Sequence, residues 1–329
     1  MDLDALTTAR RHEWERLREL ERRRRLSGRE ADELVERYQA ASADLAEAKT
    51  AAGRTPQADV ISTLIAGARL RLTRGAENPL RAVPRFFVLQ LPAALYRLRW
   101  TTLVIAAAFV AIVALVAAWI SGDPVLVATL GDEAGLERYA ENEFVEYYNP
   151  AASFAGTVWT NNAWIAAQCV LFGITGIWPV MMLMQNAIGV GTAAAVLFSF
   201  DRGDVFVLYI LPHGMLELTC IFVAGAAGLH IFWAWIVPGA RTRGQALAHA
   251  GRSLATVAMG LVLVLLVSAL IEGFVTGQPW PWPIKIGIGA AALGAFLFYM
   301  IRVGGRAARA GETGDLAEAD RGATTLVAG

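Results

Sequence analysis

From Tyr147 to Phe200 the chain contains no Asp, Glu, Lys or Arg. A stretch that long without charge cannot present a water-soluble surface, and it holds enough residues for two bilayer crossings at roughly 20 apolar residues each. Hydrophobic residues make up 56% of the 329 residues, so lipid serves as solvent for much of the chain. The balance of 29 basic against 29 acidic residues conceals strong segregation. Charges crowd before Arg99, between Asp123 and Glu146, and near the C-terminus. Lys49 and Lys285 are the only lysines; the arginine bias reads as genome composition, and no nucleic-acid partner is expected. The two cysteines, Cys169 and Cys220, lie in apolar runs and suit neither a disulfide framework nor a metal site.

Residues 1–78 read as a cytoplasmic helical module. Leu3, Leu6, Trp14, Leu17 and Leu20 share one helical face, and so do Leu34, Val35, Tyr38, Ala41 and Leu45. Ser27 and Glu30 form a capping box that opens a second helix, and Thr55-Pro56 opens a third that Gly75 is expected to end. The first two helices are expected to pair as a hairpin. Between Pro79 and Trp100, arginines alternate with Phe86, Phe87, Leu91 and Leu95, while Pro84 and Pro92 argue against one long helix. Residues 79–100 therefore read as an amphipathic segment lying on the lipid surface.

Residues 101–303 are expected to cross the membrane about six times: 101–121, 154–175, 178–200, 205–238, 253–275 and 284–303. No secretory signal precedes them, so the first span is expected to drive insertion. Arg97 and Arg99, then Arg241, Arg243 and Arg252, then Arg302, Arg306 and Arg309 all fall on one side if there are six crossings. That side is the cytoplasm by the positive-inside rule, and it holds both termini. The acidic loop 122–153 then lies outside. The tail 304–329 is expected to be disordered from its Gly, Ala and Thr content.

Polar residues inside lipid are costly and each needs a reason. Asn161, Asn162, Asn186, His213, Glu217 and Glu272 are the set singled out as a polar cavity or interaction site. His213 and Glu217 are four apart and share a helical face. Pro212, with Gly214, is expected to break the fourth span, so that the crossing helix starts there with its positive end near Glu217. Glu272, some 27–29 Å along its helix from Ser253, is expected to meet Glu217 in the outer third of the bundle. Mutual hydrogen bonding that locks the helices is one reading of this set; binding of a cation, lipid headgroup or partner is the other. Small residues at Ala224, Gly225, Gly228, Gly287, Gly289 and Gly294 read as close-packing faces or a homodimer contact.

These same residues resemble the stage II sporulation protein M family: Asn161-Asn162, Gly173 with Gly176, Asn186 with Gly189, Pro212-His213-Gly214 followed by Glu217, Gly225 through Gly228, and Ile271-Glu272-Gly273-Phe274. The N-terminal half resembles the longer members through Arg10-Arg11, Trp14-Glu15-Arg16-Leu17, Leu26-Ser27-Gly28 and Ser42-Ala43-Asp44-Leu45-Ala46. The resemblance implies a multi-span membrane scaffold or assembly factor without enzymatic activity. The family's namesake recruits peptidoglycan-degrading enzymes to a septal membrane, and long relatives are often encoded beside a MoxR-type ATPase. A peptidoglycan-remodelling protein or such an ATPase is therefore the partner that the resemblance implies. The cytoplasmic module and acidic loop set this chain apart from the short namesake.

Catalytic motifs are missing from the sequence. It has no His-Glu-x-x-His, no Gly-x-Ser-x-Gly elbow and no P-loop. His213 and His230 are separated by about 25 Å of helix and cannot share an ion. No cofactor, metal site or catalytic residue is expected. The chain thus reads as an all-α polytopic membrane protein with an N-terminal soluble module, a scaffold in the bacterial cytoplasmic membrane. A transporter, channel or lipid-handling protein working around Glu217 and Glu272 is the alternative.

Overall fold

The computed structural model describes residues 3–23, 26–52, 55–73, 83–146 and 151–315, among which there is no β-strand. These residues divide into two units, one before Val83 and one from Val83 onward.

The first unit is a three-helix bundle of α1 (Leu3–Arg22), α2 (Gly28–Ala52) and α3 (Pro56–Thr73). Leu17, Leu20, Leu34, Ala41, Leu64 and Ala68 form its core, flanked by Trp14, Leu26 and Tyr38. Both expected caps are present. Ser27 N–H donates to Glu30 at 2.8 Å and Glu30 N–H donates to Ser27 Oγ at 3.4 Å, while Ala58 N–H donates to Thr55 Oγ1 at 3.2 Å. Val35 departs from the expected face and is exposed; Asp44 is buried instead, accepting from Trp14 Nε1 at 2.9 Å and pairing with Arg10. Gly75 lies outside the described residues.

The second unit contains five helices long and apolar enough to cross a bilayer. They are α4 (Val83–Ser121), α6 (Ile177–Ser199), α7 (Gly203–Ile236), α8 (Arg243–Thr276) and α9 (Trp282–Arg309). The remaining expected span is α5 (Ala151–Leu171), which carries Thr157, Thr160, Asn161, Asn162 and Gln168 and falls short of that apolarity. It nevertheless runs the length of the bundle. The acidic loop before it packs Phe144 on Leu197 and Val205, at the α6–α7 turn. The turn after it packs Gly173 against Gly228, near the opposite end of α7. Exposed Trp100 and Trp119 on α4 stand about 28 Å apart at 1.5 Å per residue, matching the two interfaces of a hydrocarbon layer of about 30 Å.

Three expectations are corrected. Residues 83–100 do not lie on the lipid surface as a separate segment; they continue into the span as one helix, with Leu91, Ala94, Leu95 and Leu98 in the core. Pro84 falls in the first turn, where no N–H is needed, and the wider π-type turn Phe86–Gln90 precedes Pro92. The sequence expectation for residues 79–82 lies outside the described residues.

Second, Pro212 does not break the fourth span. α7 runs through it for 34 residues, so no helix N-terminus points at Glu217. Transmembrane helices tolerate an interior proline because neighbouring elements satisfy and cover the loosened backbone. Beside the proline, Ser268 Oγ donates to His213 O at 3.1 Å, and Gly289 of α9 packs against the Pro212 carbonyl, so neighbouring helices close on this stretch of α7. Gly304 covers the Pro92 carbonyl in the same way.

Third, residues 304–315 of the expected disordered tail are ordered, while the expectation for 316–329 lies outside the described residues. Residues 304–315 form the last turns of α9 and then fold back on α8. Arg252 donates from Nε and Nη2 to the fully buried Asp315 at 2.8 and 2.9 Å. Thr256 Oγ1 donates to Gly314 O at 2.8 Å. Gly314 itself has φ +79° and presses on Ala94, where a side chain would be both strained and obstructed.

The N-terminal bundle is laced by charge. Glu33 of α2 accepts from Arg16 Nε at 3.0 Å and Nη2 at 2.9 Å, and from Arg37 Nε at 2.9 Å; Arg37 also pairs with Glu13. Hydrogen bonds from Arg16, then from Arg37, hold the Glu33 carboxyl down at about 2. A depressed carboxyl favours the folded state above the unfolded value of about 4.3 and loses that contribution as pH falls toward 2. Melting of residues 1–78, followed by circular dichroism, should therefore be nearly flat from about pH 7 to 5 and drop between about pH 4 and 2. Glu33→Gln should flatten part of that drop; an unchanged acid profile would mean that the pairs add nothing.

Candidate functional site

Polar groups from four helices meet inside the membrane unit. α7 contributes His213 and Glu217, one turn apart. α8 contributes Ser268, Glu272 and Thr276, each four residues from the next and so on one face. α5 contributes Asn162, and α9 contributes Lys285. His213, Glu272, Ser268, Thr276, Asn162 and Lys285 are all buried, and Glu217 is partly so.

His213 Nε2 lies 3.4 Å from Glu272 Oε1, and His213 Nδ1 lies 3.3 Å from Thr276 Oγ1. Thr276 Oγ1 in turn donates to Ile271 O at 3.4 Å. Glu217 is within hydrogen-bonding reach of Asn162 and of Glu272. Asn162 also donates to Val158 O at 3.1 Å within its own helix. Glu272 Oε2 is buried with no hydrogen-bond partner. One ligand-type atom from each of His213, Glu217 and Glu272 lies within 4.8 Å of the others. Lys285 Nζ donates to Thr276 O at 2.8 Å and Gln278 O at 3.2 Å, tying the start of α9 to the end of α8.

Glu272 begins a π-type turn, Glu272–Thr276, that closes α8. Such turns widen the helix by one residue and recur at functional positions. Here the turn sets Glu272 and Thr276 on either side of the His213 ring.

Of the six singled-out residues, the structure gathers four: Asn162, His213, Glu217 and Glu272. Asn161 is exposed on the outer face of α5, and Asn186 donates to Met182 O at 2.8 Å within α6. Neither belongs to the polar node. Thr276, Ser268 and Lys285 do belong and were not singled out from sequence. The i, i+4 spacing from Glu272 could have suggested Ser268 and Thr276, and Lys285 stands alone as a lysine in an arginine-rich membrane half.

A family model described as Stage II sporulation protein M matches residues 101–277, more than half of the chain. The chain belongs to the stage II sporulation protein M family. The family match takes in Asn162, His213, Glu217, Ser268, Glu272 and Thr276 and stops short of Lys285, so the node lies almost wholly within the part shared with the stage II sporulation protein M family. A second model, Domain of unknown function (DUF8413), matches residues 4–74, the three-helix bundle. No curated protein and no solved structure matches the chain.

The node depends on close approach of α7 and α9. A Cβ on Gly289 would sit 2.0 Å from Pro212 O, whereas Gly287 and Gly294 face open space. Gly289→Ala should therefore separate the helices and destabilise the detergent-solubilised protein by about 1–3 kcal/mol. Gly287→Ala and Gly294→Ala should be neutral or slightly stabilising, since Ala outranks Gly in helices by about 1 kcal/mol. Thermal unfolding separates the two outcomes, and equal effects at all three positions would contradict the packing described.

Proposed function

We propose that this chain is a non-enzymatic scaffold or assembly factor of the bacterial cytoplasmic membrane, acting in a cell-envelope process, with both termini in the cytoplasm. The observation that carries this reading is the pairing of a self-contained, charged three-helix bundle with a separate membrane bundle. A module with its own core does not need the membrane unit to fold, and its attachment there serves to bring something to the bilayer. The resemblance to long family members points to a cytosolic MoxR-type ATPase as that partner, and to peptidoglycan-remodelling proteins on the side of the acidic loop. Arginine placement supports the orientation.

On the bundle surface, Val60 is 53% exposed and lies beside half-buried Trp14 over buried Ile61 and Leu64, with Arg11, Glu15 and Arg18 at the rim. A partly apolar surface rimmed by charges of both signs suits an amphipathic segment of a partner. The second reading, a transporter, channel or lipid-handling protein, is favoured by one observation, the buried polar node, because ionisable groups inside a membrane commonly mark a pathway.

In the native host, a photo-crosslinker at position 60 should capture a defined cytosolic protein, and Val60→Arg should abolish recovery of that partner without lowering the amount of the chain in the membrane. Unchanged partner recovery from both Val60→Arg and a chain lacking residues 1–78 would overturn docking at this bundle. Substrate flux in proteoliposomes that Glu217→Gln abolishes would favour the second reading instead.

A further inference from the structure

The node has a surplus of acceptors. His213 Nδ1 lies 3.3 Å from the Thr276 hydroxyl, and Nε2 faces the Glu272 carboxyl at 3.4 Å. The second Glu272 oxygen has no partner, and Glu217 adds a further carboxyl within reach of the first. Among the described residues, no arginine or lysine forms a salt bridge with either glutamate. Lys285, the cation closest along the chain, directs its ammonium to the Thr276 and Gln278 carbonyls. Three converging acceptors in a buried membrane site call for an electrophile among them.

We propose that His213, Glu217 and Glu272 form a binding site for a divalent transition-metal cation of the zinc class inside the membrane bundle. A +2 ion offsets the two carboxylates, which is the condition for keeping them in a low-dielectric interior. One imidazole nitrogen with two carboxylate oxygens is a donor set that suits zinc and leaves a fourth position open; magnesium and calcium favour sets made of oxygen alone. The ligand atoms stand within 4.8 Å of one another. A tetrahedral ion at about 2 Å from each ligand needs them about 3.3 Å apart, a contraction that side-chain rotation supplies.

The surrounding contacts have the form that metal sites use. The second ring nitrogen of His213 meets the Thr276 hydroxyl, which orients the ring plane, and Asn162 reaches the Glu217 carboxyl. The π-type turn at Glu272–Thr276 brings the ligand and the ring-orienting hydroxyl from one helix to both sides of the imidazole. This site goes beyond the scaffold reading and stands or falls separately from it: an ion here would join α7 to α8 whatever partner the bundle recruits.

The full chain, purified in nanodiscs from zinc-supplemented cells, should contain about one zinc per chain by elemental mass spectrometry. Stripping with a chelator should lower its melting temperature, and zinc, but not magnesium, should restore it. His213→Gln and Glu272→Gln should reduce the bound metal at least tenfold, Asn186→Ala should leave it unchanged, and Thr276→Val should weaken zinc binding about 10–100-fold. Should the ligand variants fail to fold, X-ray absorption of the wild-type protein decides: one imidazole nitrogen with oxygen neighbours supports the site. Sulfur neighbours, which would implicate Cys169 or Cys220, overturn it. So does a wild-type protein that neither carries zinc nor is stabilised by it, in which case protons shared among the three groups balance the charge.

Discussion

Hydrocarbon offers no hydrogen bonds, so every polar group carried into it must find its partner within the protein. That constraint accounts for the arrangement of α7, which packs against each of the other five long helices and carries the polar residues that they share. Ser268 meets the His213 carbonyl, Thr276 meets the His213 ring, and Asn162 meets Glu217. Each contact links α7 to a neighbour. The two prolines sit where packing is tight: at Pro212 and at Pro92 a glycine of α9 brings backbone close against the proline carbonyl.

Much of this was legible in the sequence. The charge-free run, the arginine clusters and the spacing of apolar stretches placed the long helices to within a few residues at most ends. The caps at Ser27 and Thr55 held because capping is a local chemistry, set by residues three apart. The meeting of Glu217 with Glu272 was also inferred, from helix rise together with a helix start at Pro212 that the structure does not have. The failures share a cause. Pro212 and Pro92 were read with rules for isolated helices, but neighbouring helices decide what a proline does in a bundle. The ordering of the chain to Asp315 depends on Arg252, some sixty residues earlier, a long-range pair that no composition rule can see. Val35 was put on the core face by helical periodicity, whereas Asp44, polar and therefore discounted, is buried because Trp14 and Arg10 satisfy it.

The two units divide the work physically. The N-terminal bundle is held by an apolar seam and a lattice of arginine–glutamate pairs in water, so it responds to acid and salt. The membrane unit is held by packing and a few internal polar contacts, among them the node between α5, α7, α8 and α9. The family model covers residues 101–277 of the membrane unit, and a separate family model covers the bundle.

The claim on which all of this rests is that six helices, α5 included, traverse the bilayer with both ends of the chain inside. Single cysteines at exposed Glu137, Thr175 and Arg243, in a chain with Cys169 and Cys220 replaced by alanine, test it in intact cells with a membrane-impermeant thiol reagent. Position 137 should label, while 175 and 243 should stay silent until the membrane is opened. Labelling at 137, 175 and 243 together would remove α5 from the crossings, whereas labelling at 175 and 243 with 137 protected would invert the orientation altogether.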